Sequence, residues 1–177
     1  MNKFCNIFLS LILLMLVGCG FHLRGKLLIP SNLQAMQIVP NISYDPFQRF
    51  LRQTLKSNDV RIIEPNDPEA KTAVILTILN QSFSERTVGY GADGQTNRTI
   101  LQFTANFQVS EPNGKVLIPT STIQVERELT VNPNAVLGTE NERERVKQDL
   151  YMDATSQMMR QISVSEYSSE HSHENSS

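Results

Sequence analysis

Between Ile100 and Val109 the side chains alternate without a break. Leu101, Phe103, Ala105, Phe107 and Val109 fall on one side, and Gln102, Thr104, Asn106 and Gln108 on the other. Only a β-strand, whose side chains change sides at every residue, sorts a sequence this way. Pro112-Asn113-Gly114-Lys115 follows, with the Asn-Gly pair that suits a tight hairpin turn. Val116–Leu129 then returns, with Ile123, Val125 and Leu129 on one side and Gln124, Glu126 and Glu128 on the other. This hairpin constrains everything else. It demands an antiparallel sheet with an apolar face that other elements must cover, and it leaves a second face rich in amides and hydroxyls.

Two segments have the pattern to cover it. Asp45-Pro46-Phe47-Gln48 is a helix start, with Asp45 as cap, Pro46 at the first helical position and Gln48 placed to reach back. Phe47, Phe50, Leu51 and Leu55 then make one apolar face, and Ser57-Asn58 ends the helix. Near the other end of the chain, Thr139 to Glu142 repeats the capping pattern. Val146, Leu150, Ala154, Met158 and Ile162 continue as a stripe, widened by Tyr151. Glu140, Glu142 and Glu144 are placed in the first turns, where the helix dipole favours acids. Methionines in such a stripe are expected to be core.

Three more strands are expected. Leu33–Val39 stops at Pro40, and Val60–Ile63 stops at Glu64-Pro65. Thr72–Leu79 is almost continuously apolar, which predicts a central strand covered on both faces, before the chain turns polar from Asn80. The order is β-α-β-β-β-β-α. The expected fold is α+β, with two helices packed on one face of a mostly antiparallel four- to five-stranded sheet.

The first residues obey different rules. Lys3, the apolar run Ile7–Val17 and then Leu16-Val17-Gly18-Cys19 have the layout of a secretory signal. The run is too short for a hydrocarbon core of roughly 30 Å. The final tetrad resembles a bacterial lipobox, which implies cleavage before Cys19 and acylation of it. More than one chain is needed for stable anchoring, and a triacylated cysteine meets that need. Gly20, rather than Asp, follows; by the same resemblance this favours sorting to the outer membrane. The expected division is residues 1–18 as signal, 19–31 as lipid anchor and tether, 32–163 as one domain, and 164–177 as a polar tail too poor in apolar groups to order itself.

Little in the sequence suggests catalysis. The only histidines are His22, in the tether, and His171 and His173, in the tail. Without a histidine in the domain there is no nucleophile–base pair, and His171-x-His173 lacks a third ligand for a metal. No enzyme, cofactor or metal is expected. With 16 basic and 18 acidic residues the chain lacks the basic excess of a nucleic-acid binder. Cys5 leaves with the signal, so the mature chain has no disulfide to form from Cys19 alone. Gly89-Tyr90-Gly91-Ala92-Asp93-Gly94 matches the dinucleotide fingerprint literally, but a strand follows it rather than a helix, so it reads as a Gly-rich hairpin tip. Arg86 before the tip and Arg98 after it are placed to meet a phosphate or carboxylate.

Cys19-Gly20-Phe21-His22-Leu23-Arg24, Gly94-Gln95-Thr96 before a long hairpin, and Asn132-Pro133 before the last helix together resemble the LPS-assembly lipoprotein family LptE. The resemblance implies two helices on a four-stranded sheet. It also implies a place in the lumen of the outer-membrane β-barrel LptD, support for that barrel's assembly, and help in delivering lipopolysaccharide to the outer leaflet. Direct contact with lipopolysaccharide would then fall to Arg86 and Arg98. Ala92 and Asp93 stand where the family carries a basic residue, and Thr139 where a lysine can occur. The alternative is a free-standing, periplasm-facing lipoprotein that carries or senses a small ligand. It would need an apolar pocket between helices and sheet.

Overall fold

The computed structural model describes residues 27, 29–91, 94, 96–131 and 135–164. The expected lipobox, Cys19, all three histidines, most of the tail, Ala92, Asp93 and Asn132-Pro133 lie outside them. A short 3-10 turn, Ser31–Leu33, leads into β1 (Ala35–Val39), α1 (Pro46–Ser57) and β2 (Arg61–Ile62). A second 3-10 turn, Pro68–Lys71, precedes β3 (Val74–Tyr90), β4 (Thr96–Ser110), β5 (Val116–Thr130) and α2 (Val136–Val164).

The α+β architecture is as expected, with both helices packed on one sheet face. The sheet has five strands in the order β2-β1-β3-β4-β5. It is mostly antiparallel, as expected, with a short parallel part. β1 pairs in parallel with both β2 and β3, whereas β3–β4 and β4–β5 are antiparallel. The parallel part arises because α1 is a crossover connection, which returns the chain in the same direction.

α1 forms where its end signals stand. Asp45 Oδ1 accepts from the Gln48 N–H at 2.8 Å. The Gln48 side chain reaches further back than a capping box requires: its amide donates to the Pro40 carbonyl and its oxygen accepts from the Ile42 N–H, both at 3.0 Å. That satisfies an otherwise buried amide, since Gln48 is 1% exposed. At the far end, Val60 N–H bonds the Leu55 carbonyl and Asp59 N–H the Lys56 carbonyl. This is the paired closure of a Schellman end, and it places Asp59 at a φ of 62°. Val60 and Leu55 are both buried beside it.

α2 starts earlier than the capping pattern predicted. The Thr139 N–H already donates to the Ala135 carbonyl, so Thr139–Glu142 lies inside the helix and its first turn holds no acid. The apolar stripe is core as expected, with Leu150, Ala154, Met158, Met159 and Ile162 fully buried. The helix continues through Val164, a residue past the expected end of the domain.

All five alternating apolar residues of β4 are buried. Phe103 stands at the centre, 4.9 Å from the Phe47 ring and 5.0 Å, edge-on, from Tyr151, whose hydroxyl burial holds above the ordinary phenol range. The turn at Asn113-Gly114 closes as predicted. Gly114 donates to the Glu111 carbonyl at a φ of 91°, a backbone that glycine adopts without a Cβ penalty.

β3 departs from expectation in two ways. It continues far beyond Leu79, because β4 pairs with it as far as Tyr90. It is also covered on one face only: Val74, Leu76 and Ile78 are buried, whereas Leu79 is 48% exposed. Leu79 is the extra residue of a β-bulge, since Ile78 pairs with Phe107 and Asn80 with Asn106. The bulge changes which residues face the helices, from the even-numbered set before it to Gln81, Phe83 and Glu85 after it. A second irregularity in β5 coincides with Pro119, a residue tolerated on an edge strand.

Candidate functional site

The helices leave one sheet face open. The register places Asn80, Ser82, Ser84 and Arg86 of β3 on it, then Arg98, Gln102, Thr104, Asn106 and Gln108 of β4, and Thr122, Gln124, Glu126 and Glu128 of β5. Its centre is uncharged and hydrogen-bonding, and its charges gather toward the β3–β4 hairpin end. Gln102 Nε2 donates to Thr104 Oγ1 at 3.3 Å within this face. Asn106 Oδ1, screened from solvent, has no hydrogen-bond partner among the described residues.

The two arginines singled out from sequence share that face near one end. Arg86 lies opposite Ile100, and Arg98 opposite both Gly89 and Thr130. Arg98 Nη1 faces Glu128 Oε1 at 3.6 Å, with both side chains half exposed. Arg86 makes no ion pair among the described residues. A surface pair of this kind contributes about 0–1 kcal/mol, so it orients the guanidinium more than it stabilises the fold. An arginine fork and a second cation beside it can receive a phosphate or carboxylate.

Three contributors escaped sequence reasoning. Glu128 holds Arg98, but it reads only as a polar member of β5. Gly89 lets Arg98 and Asn97 lie close over the backbone, since a Cβ there would meet Arg98 Nε and Asn97 Oδ1 at 2.8 Å. Asn97 itself carries a screened Oδ1 with no hydrogen-bond partner among the described residues, while its carbonyl accepts from the Val131 N–H. Only the strand register could have joined these residues.

On the helix side, Glu85 pairs with Arg143 Nε at 3.3 Å, and Lys147 lies over the Phe83 ring at 5.3 Å. These contacts fasten α2 to the far half of β3. The space between helices and sheet is filled by side chains, so a buried apolar pocket of the kind a small-ligand carrier needs is not found among the described residues. The larger clefts are at the rims. One of about 670 Å³ lies between α1 and α2, with Arg49, Gln53, Glu144 and Lys147 around Phe50 and Tyr151. Another of about 820 Å³ lies beside the second half of α2 and is lined chiefly by polar groups. Among the described residues, no cluster of three His, Cys, Asp or Glu side chains could hold a metal ion, and no helix is long and apolar enough to cross a membrane.

Comparison with known proteins gives a consistent answer. The profile of the family described as "LptE: Lipopolysaccharide-assembly" matches residues 33–162. A protein of Photorhabdus laumondii named LPS-assembly lipoprotein LptE is 31% identical over 161 residues, covering 91% of this chain and 86% of its own. The protein of that name from Pectobacterium atrosepticum is also 31% identical, over 91% of this chain and 85% of its own. Among solved structures, the rare lipoprotein B of Shewanella oneidensis superposes with a TM-score of 0.65 at 18% identity, over 77% of this chain and 98% of its own. Lipoprotein B of Nitrosomonas europaea gives 0.65 at 19% identity, over 82% and 91%. The structures speak for the fold.

Proposed function

The chain belongs to the LptE lipopolysaccharide-assembly family, and from that premise we propose that it is an outer-membrane lipoprotein working with the β-barrel LptD. Anchored through acyl chains on Cys19, it plugs the barrel lumen from the periplasmic side, supports the barrel's assembly and assists delivery of lipopolysaccharide to the outer leaflet. The role is non-catalytic. The observation that carries this reading is the family match across the whole folded domain.

The molecule's shape supports it. A barrel lumen is polar, and the open sheet face offers it amides and hydroxyls. Arg86 and Arg98, at the hairpin end of that face, are the candidate contacts for lipopolysaccharide phosphates.

Isolation of the full chain in mild detergent, followed by identification of what co-elutes, tests the partnership. A stable complex with a large β-barrel is expected; a monomer carrying a small molecule would overturn it. For the lipid contact, Arg86→Ala combined with Arg98→Ala is expected to weaken lipopolysaccharide binding by the purified protein at least several-fold. Unchanged binding would remove both residues from the contact while leaving the barrel partnership standing.

A further inference from the structure

One border of the sheet is left bare where β1 stops. β1 flanks β3 only as far as Thr77, and beyond it no described strand pairs with that side of β3. Gln81 Nε2 donates to Asp45 Oδ2 and ties the strand to the cap of α1. From Ser82 to Thr87 the register with β4 is unbroken. About 20 Å of border therefore carries outward N–H and C=O groups with no strand among the described residues to receive them. The usual guards are missing. The opposite border, β5, is interrupted at Pro119, whereas Ser82–Thr87 holds neither proline nor lysine. Glu85 is turned toward the helices, but Arg143 neutralises it. Beside this border lies a gap of about 190 Å³ between β3 and the helices. Its accessible apolar walls are the half-buried Phe83 and Tyr151, with Asp45 and Gln81 as polar lining; Phe47 and Phe103 are buried behind them.

Resting on the barrel partnership above, we propose that Ser82–Thr87 pairs with a strand of the partner barrel before that barrel closes. A free strand edge with a side-chain gap next to it is the equipment of recognition by strand addition: backbone bonds give affinity, and the gap selects an alternate side chain. The incoming strand has polar residues beside Ser82, Ser84 and Arg86 on one face, and an apolar residue for the gap at Phe83 and Tyr151 on the other. A barrel strand carries that alternation, polar toward the lumen and apolar toward lipid. A closed barrel has no free edge to offer, so the pairing is confined to assembly and ends when the barrel's own strands complete the ladder. A second copy of this chain is the rival occupant. Edge to edge, it would bring Gln81, Phe83 and Glu85 to the gap, and all three are already engaged, with Asp45, Lys147 and Arg143. It has no unengaged apolar side chain to insert there, which favours the barrel strand.

The test uses the full chain expressed with its barrel, with the photo-cross-linker benzoylphenylalanine replacing Ser84 or, as reference, Gln124 of β5. In pulse-labelled cells the Ser84 position is expected to cross-link newly made barrel chains at least five times more than the same chains after a chase, while the Gln124 position shows no such fall. A Ser84 cross-link that stays constant or grows through the chase would overturn the proposal, as would one to a second copy of this chain. Ser84→Pro and Glu85→Pro give a second readout, because successive N–H groups point to opposite sides of a strand. The variant that loses a bond to β4 should unfold earlier. The other should keep its unfolding midpoint and lower the yield of closed barrel at least fivefold; full yield from that variant would count against the edge. A chain that retains no barrel in mild detergent overturns the partnership itself, whereas retention with an unchanging Ser84 cross-link removes only the strand pairing.

Discussion

The two halves of β3 are one strand in two environments. From Val74 to Thr77 it lies between β1 and β4, and Val74, Leu76 and Ile78 sink into the core. Beyond the bulge at Leu79, β1 has ended, so β3 becomes an edge, held by β4 on one side and by the contacts of Phe83 and Glu85 with α2. The first half is held by burial. The second is held by backbone pairing and a few surface contacts, and it carries the polar groups of the candidate site. The difference shows how a chain lengthens a strand past its core: the bulge absorbs Leu79, so the helix-facing set passes from even to odd numbers, with Phe83 under the helices and Ser82, Ser84 and Arg86 on the open face.

The largest expected effect breaks the first half. Leu76 is fully buried, so Leu76→Ala should destabilise the protein by about 2–5 kcal/mol, whereas Ser84→Ala in the second half should stay within about 0.5 kcal/mol. Urea unfolding of both variants measures the contrast. Comparable losses would mean that the halves are not different in kind.

Deleting Leu79 goes to the division itself. It removes the extra residue while Ile78 keeps Phe107 and Asn80 keeps Asn106 as partners, so the ladder should become regular, Phe83 should stay under α2, and stability should change by about 1 kcal/mol. The readout is the unfolding midpoint together with retention of the Lys147–Phe83 contact in side-chain spectra. Loss of that contact would mean that the bulge residue itself is needed to hold the far half in register.

A smaller effect is expected from Gly89→Ala. The two atoms the new Cβ would meet at 2.8 Å lie toward side-chain ends and only Arg98 Cβ, at 3.2 Å, is fixed, so Arg98 should swing away from Glu128 while stability changes by about 1 kcal/mol or less. Under the proposed lipid contact, lipopolysaccharide binding should fall with Arg98 displaced, and binding titrations beside thermal unfolding separate the two readouts.

The smallest concerns pH. Burial, then the charge of Asp45, raises the Tyr151 hydroxyl above its ordinary value. A group raised in the folded state contributes its stability below the unfolded value of about 10, and that contribution is lost as pH rises through the tyrosine range. Tyr151→Phe should therefore flatten the alkaline side of the stability profile; an unchanged slope would assign it to other groups.

How much of this was legible follows the same division. β4, β5, α1 and the stripe of α2 announce themselves because burial leaves a period in the sequence. The far half of β3 does not, since Asn80–Tyr90 is ordered by its neighbour's hydrogen bonds, and backbone pairing leaves no mark on side-chain type. The parallel pairing of β1 was hidden for the same reason. Thr139–Glu142 misled because a capping pattern inside a helix looks the same as one at its start. At the candidate site, the nearness of Arg86 and Arg98 followed from the hairpin, but Glu128 and Gly89 became relevant only once register brought them alongside Arg98.

Pro119 has a consequence for how this molecule lives among its copies. A sheet border exposes a ladder of unanswered donors and acceptors on which another chain can template itself. At Pro119 that ladder is missing a rung, and the adjoining irregularity in β5 throws the neighbouring rungs out of line. Ribbon-like growth from molecule to molecule would therefore stall partway along this border, and crowding need not become fibre.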